Sequence, residues 1–232
     1  MALVDIATTA VWLLPASRAK NALLRKVGHD VAPSARAATN LVLRVRRFTV
    51  GDGASVGRFN LFKDLSSVEL APGSRIGRMN LISAHPVYAR HYPDGARLSL
   101  GEKAKITSRH SVDCSGGVTV GALASVAGRQ TLILTHSVDL ALDAQVAHPV
   151  VVGERSFVGA RCLLLGGSSL PERSVLAAGS VLTRSGKRDR GVWAGAPATW
   201  RAPKDGLWFD REETSTHRLY VPATGETHEG VI

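Results

Sequence analysis

The sequence predicts an all-β chain built as a solenoid, and three observations carry that prediction. Over residues 150 to 185 an aliphatic residue returns at every sixth position: Val152, Val158, Leu164, Leu170, Leu176 and Leu182. A second series, Ser156, Cys162, Ser168, Ser174 and Ser180, places a small residue at the same period. Aromatic residues make up only 5% of the chain while glycine reaches 23 residues, which suits stacked Val, Ile and Leu better than a core built on large rings. Period six fits neither the i, i+3, i+4 spacing of a helix nor the alternation of a half-buried strand; it is a hexapeptide repeat. Six residues supply one short extended run and one corner, and three runs close a triangular coil of about 18 residues that stacks on the next. The aliphatic then points into the prism and the small residue lets the backbone pass the corner. Gly153, Gly159, Gly166 and Gly179 suit corners that need close approach or positive φ.

In chain order, residues 1–47 read as a basic helical or cap region. They hold eight Lys or Arg against Asp5 and Asp30, so much of the net charge of +10 precedes the repeats. A basic surface of this kind attracts phosphates or anionic lipid, or is simply a solvated face. The opening MALVDIATTAVWLLPASRA carries Asp5, lacks a basic start and is too short to span a bilayer, so a cytoplasmic chain without a signal peptide is expected. Residues 17 to 28 predict a short amphipathic helix begun at Ser17 or Pro15 and ended by Gly28, packed on the end of the prism or touching a membrane periphery.

Residues 48–200 read as the hexapeptide domain. The spacing runs through Val50, Val56 and Phe62, then Leu70, Ile76 and Ile82, then Leu100, Ile106 and Val112, then Val120, Val126 and Leu132. Residues 83 to 97, with two prolines, two tyrosines and two histidines, predict a loop thrown out from the coil. Residues 137 to 149 leave the period directly after His136, which makes that histidine the first catalytic candidate and His148 the second. Residues 201–232 have weak periodicity and read as an irregular tail or arm. Cys114 and Cys162 form no disulfide framework, and a reducing compartment is expected. No nucleic-acid motif accompanies the positive charge.

The segments THSVD, PVVVGERSFVGARCLLLGGSSLPERSVLAAGSVLTR and AGAPA resemble the hexapeptide acyltransferases, particularly the galactoside, maltose and colanic-acid sugar O-acetyltransferases. The resemblance implies a left-handed parallel β-helix, a homotrimer, acetyl-CoA as acyl donor, and a saccharide or similar hydroxyl acceptor, as in polysaccharide biosynthesis. It implies a catalytic role for His136, with acyl-CoA contacts at Ala160, Ala178, Thr183 and Arg184; Lys187 follows in the same basic turn and is a further candidate for the CoA phosphates. No metal is expected. Two positions depart from the family: its upstream asparagine aligns near Thr107, and its arginine after the terminal proline near Thr199.

Acyl transfer from a thioester to a hydroxyl needs a base that works near neutral pH and a surface that holds both substrates. His136 supplies the base, and Asp139 is the carboxylate nearest to it in sequence, although a solvated loop residue is the plainer reading. Two alternatives stay open. A metal enzyme resembling the γ-class carbonic anhydrases would need three histidines, with His110, His136 and His148 available, but that family's close histidine pair is absent. A non-catalytic scaffold would lack the histidine.

Overall fold

The computed structural model describes residues 3–184 and 189–230. Its strands form three parallel sheets, each the face of a triangular prism, and successive coils add one strand to each face. This is the parallel β-helix expected from the repeats, left-handed as the resemblance implied. One inward column runs up each face, and the registers align its members. Face one stacks Val31, Val50, Leu70, Leu100, Val120, Val152 and Leu170. Face two stacks Ala37, Val56, Ile76, Ile106, Val126, Val158, Leu176 and Trp193. Face three stacks Val42, Phe62, Ile82, Val112, Ile133, Leu164 and Leu182. None of these is more than 3% exposed. Burying each large aliphatic stabilises the prism by about 1.5–3 kcal/mol.

Only the last coils keep strict hexapeptide length; earlier coils carry extra residues at their corners, which accounts for the phase shifts in the sequence. One such residue moves the inward position from the expected Leu132 to Ile133, which is fully buried and pairs with Val112 while Leu132 faces outward. The first coil also begins earlier than expected. Asp30–Val31 already pairs with Arg47–Val50, so part of the region read as a cap, 1–47, belongs to the prism.

Two helices close the N-terminal end. Helix α1, Leu3–Leu13, was not legible in the sequence, and α2, Arg18–Lys26, matches the expected helix. Ser17 caps α2 by accepting from the Lys20 N–H, and Gly28 ends the segment at φ +98°. Trp12 and Leu24 plug the first coil. Between them Lys20 is buried, its Nζ donating to the carbonyls of Trp12, Leu14 and Ala38 at 2.7–2.8 Å. The bonds to Trp12 and Leu14 satisfy carbonyls at the end of α1 that lack helical partners, and the third ties the helices to the first coil.

The C-terminal segment lies along the prism as an arm, one of the two readings open for residues 201–232. Val192–Gly195 turns back into antiparallel Ala198–Ala202, and Leu207–Asp210 then forms a single 3-10 turn against the prism. From there the chain descends the coils: Arg155 donates to the carbonyls of Phe209 and Arg211, Lys105 to Ser215, and Thr214 to the Gly73 carbonyl. A hairpin, Arg218–Val221 with Glu226–Glu229, follows.

Two excursions leave the corner between faces three and one, separated by one coil that turns the corner directly from Ser111–Asp113 into Val118–Val120. Residues 84–96, carrying helix α3, Tyr88–His91, follow the strand Leu81–Ser83. The second is an antiparallel hairpin, His136–Asp139 with Ala144–Ala147, where the sequence predicted a loop.

Candidate active site

The second hairpin starts where the face-three strand Leu132–Leu134 ends, and the strand beneath it ends at Asp113. Stacking therefore lays Thr135 and His136 over the Asp113 carboxylate. Asp113 Oδ2 accepts from Thr135 N at 2.8 Å, Thr135 Oγ1 at 2.6 Å and His136 N at 3.1 Å, and lies 2.8 Å from His136 Nδ1. Its Oδ1 accepts from Ser115 N at 3.1 Å and Ser115 Oγ at 2.6 Å. Burial alone would raise the Asp113 carboxyl, but the hydrogen bonds from Ser115, Thr135 and His136 outweigh it and hold the group below its ordinary value. The carboxylate is thus an acceptor only, so Nδ1 carries the proton and Nε2 keeps its lone pair. The His136 side chain is 40% exposed and can meet a ligand, whereas Asp113 is only 14% exposed. An oriented imidazole of this kind can take a proton from a hydroxyl.

The two excursions brace each other around this ring. The Tyr88 ring lies 5.7 Å from the His136 ring, and its hydroxyl donates to Gln145 Oε1 at 3.4 Å. Tyr92 Oη accepts from Ala147 N at 3.3 Å. Burial, then the neighbouring Tyr92 and Asp113, push the Tyr88 phenol upward and keep it protonated. In the coil above, Gly166 passes so close that a Cβ would stand 2.7 Å from the Thr135 carbonyl oxygen.

The other predicted residues divide between two corners. Arg184 shares the His136 corner: a side chain on Gly167 would meet Arg184 Cδ at 3.4 Å and His148 Cβ at 3.6 Å. Thr183 follows the strand Val181–Leu182 at that same corner. Ala160 and Ala178 sit at the opposite corner, between faces two and three, where Gly179 N donates to the Ala160 carbonyl at 2.9 Å. Within one chain the width of face three separates them from His136. Lys187 lies outside the described residues, as does Arg188 beside it.

Asp139 does not orient the histidine; its Oδ1 accepts from Ala141 N and Leu142 N in the hairpin turn. His110 is buried, with Nδ1 accepting from Thr131 N and Nε2 2.8 Å from Thr107 Oγ1, so both ring nitrogens are used in the prism and it joins no histidine set. Among the described residues no group of three or more His, Cys, Asp or Glu side chains converges as metal ligands would. The residues that sequence reasoning missed are Asp113, Tyr88 and Tyr92. Asp113 precedes His136 by slightly more than one coil, a signal readable only once the coil length at that level is known.

No family model matches the chain, and no curated protein matches it in sequence. Among solved structures it is similar to the polysialic acid O-acetyltransferase OatWY, with 15% identity over 75% of this chain and 84% of that chain and a TM-score of 0.50. That likeness is one of fold. It is also similar to a hexapeptide transferase family protein from Anaplasma phagocytophilum, with 17% identity, 78% and 82% coverage and a TM-score of 0.43. A third is a hexapeptide-repeat acetyltransferase from Vibrio cholerae complexed with acetyl coenzyme A, with 19% identity, 57% and 72% coverage and a TM-score of 0.43.

Proposed function

We propose that the chain is an acyl-CoA-dependent O-acyltransferase that moves an acetyl group from acetyl-CoA to a hydroxyl of a saccharide-type acceptor, with His136 as general base. The observation that carries the proposal is the half-buried Asp113 carboxylate 2.8 Å from His136 Nδ1, which leaves Nε2 free at the edge of a hexapeptide prism. The shared fold with a polysialic acid O-acetyltransferase supports it. In the reaction, Nε2 removes the acceptor hydroxyl proton as the oxygen attacks the thioester carbonyl. Collapse of the tetrahedral intermediate breaks the C–S bond, and the imidazolium returns the proton to the departing thiolate. The Asp113 carboxylate stabilises the imidazolium between these steps. No acyl-enzyme forms.

A homotrimer belongs to the same proposal. The outer side of face three presents Leu41 and Leu81, 40% and 44% exposed, in one column with half-buried Leu61, Ser111, Leu132, Leu163 and Val181, apolar but for the serine. A flat apolar face is suited to packing around a threefold axis. That packing brings the His136 corner of one protomer to the Ala160 and Ala178 corner of its neighbour, which joins the residues that a single chain keeps apart.

The test is acetyl-CoA consumption against a panel of saccharides. His136→Ala is expected to lower turnover by about 10²- to 10⁴-fold, with acetyl-CoA affinity retained. Turnover that survives this change and is lost in His148→Ala would overturn the assignment.

A further inference from the structure

The corner between faces two and three carries an arginine in each of five consecutive coils: Arg58, Arg78, Arg109, Arg129 and Arg161. All five are exposed. Backbone bonds join the coils along this corner, with Arg109 N donating to the Arg78 carbonyl, Gln130 N to the Arg109 carbonyl and Arg161 N to the Arg129 carbonyl at 2.9–3.0 Å, and the arginines fill two adjacent corner positions, Arg109 and Arg161 at the positive-φ residue and Arg58, Arg78 and Arg129 just before it. Arg161 Nε donates to Gln130 Oε1; among the described residues no carboxylate pairs with any of the five, while the ion pairs present engage arginines elsewhere, such as Arg44 with Asp64 and Arg173 with Asp210. Adjacent strands stack about 4.8 Å apart, so the ladder is about 19 Å long. Five like charges held in line without counter-charges are costly to one another, and a linear polyanion relieves that repulsion. A surface groove lined by Arg78, Met79, Ser108, Arg109 and Arg129 runs along this edge.

We infer that this edge binds an anionic polysaccharide bearing a carboxylate or phosphate at regular intervals, and that this polymer is the acyl acceptor; the second clause rests on the acyltransfer reading above. Ala160 and Ala178 lie at the C-terminal end of the same edge, so a donor held there leaves Arg58 and Arg78 to the acceptor. Nucleic acid fits less well. Single strands bind on aromatic stacking platforms, and Phe59 is the lone aromatic side chain on this edge among the described residues.

The experiment titrates the full-length protein with polygalacturonate as the carboxylated probe, neutral dextran and oligodeoxythymidine. Polygalacturonate is expected to bind, to weaken as salt is raised, and to bind about tenfold less tightly to Arg58→Gln/Arg78→Gln. Arg18→Gln/Lys26→Gln on α2 removes the same charge from another basic surface and is expected to bind as wild type does. An unchanged affinity in the ladder variant, an equal loss in the α2 variant, equal binding of dextran, or tighter binding of oligodeoxythymidine would each overturn the inference. Salt-sensitive polygalacturonate binding without acetyl transfer to any acceptor would leave the surface standing and remove the acyltransfer reading, so the two fail separately.

Discussion

In the proposed reaction, Asp113 decides which nitrogen of His136 acts. In Asp113→Asn the amide can donate to Nδ1, which moves the ring proton to Nε2 and removes the base. Turnover is expected to fall by about 10²- to 10⁴-fold while acetyl-CoA affinity stays near wild type, read from kcat and from calorimetry. The same carboxylate affects stability. Its folded value is depressed, so its contribution is present above the ordinary carboxylate value of about 3.9 and is lost as pH falls through the lower folded value. Urea unfolding should show a steeper acid decline in the native protein than in Asp113→Asn.

At the scale of one structural element, the interior of the corner between faces two and three forms a side-chain ladder. Asn40 Oδ1 accepts from Asn60 N, Asn60 Oδ1 from Asn80 N, Asn80 Oδ1 from His110 N, and His110 Nδ1 from Thr131 N. Each rung satisfies a backbone donor that the corner would otherwise bury unpaired. His110 is the one titrating rung. Burial lowers its value to about 4, as it does for His29 beneath α1 and α2. Below about 6.5 the unfolded chain binds protons that the folded chain refuses, so these histidines withdraw stability as pH falls from about 6.5 to about 4. Replacing His110 with Asn continues the ladder and removes one titrating group. The drop in Tm between pH 7 and pH 5 is expected to shrink in His110→Asn without vanishing, because His29 remains. An unchanged drop would mean that other groups govern the acid limb.

At the scale of the whole molecule, the proposed threefold packing relates the largely apolar outer side of face three, the arginine edge and the corner that bears His136. Leu61→Glu/Leu81→Glu places charges on the outer side of face three without touching the buried columns. This variant is expected to sediment as a folded monomer with little transferase activity. If His136 of one protomer works with the Ala178 corner of the next, then inactive His136→Ala and inactive Ala178→Trp chains should recover part of the activity once subunits are exchanged. No recovery in verified mixed trimers would assign the whole site to one chain.

The period of six by itself determined the solenoid, its inward residues from Val152 to Leu182 and the two excursions, because a packing constraint repeated in every coil leaves a repeated mark on the sequence. His136 was legible for the same reason, standing where the repeat stops. Irregular corners hid the rest: an added residue exchanged Leu132 for Ile133, and the early coils beginning at Asp30 were too irregular to show a period. Helix α1 buries Trp12 against a coil that exists only after folding, so its amphipathic logic has no partner visible in the sequence. Asp113 belongs to this second class. Its distance from His136 along the chain is set by the length of a coil, and only stacking turns that separation into a hydrogen bond of 2.8 Å.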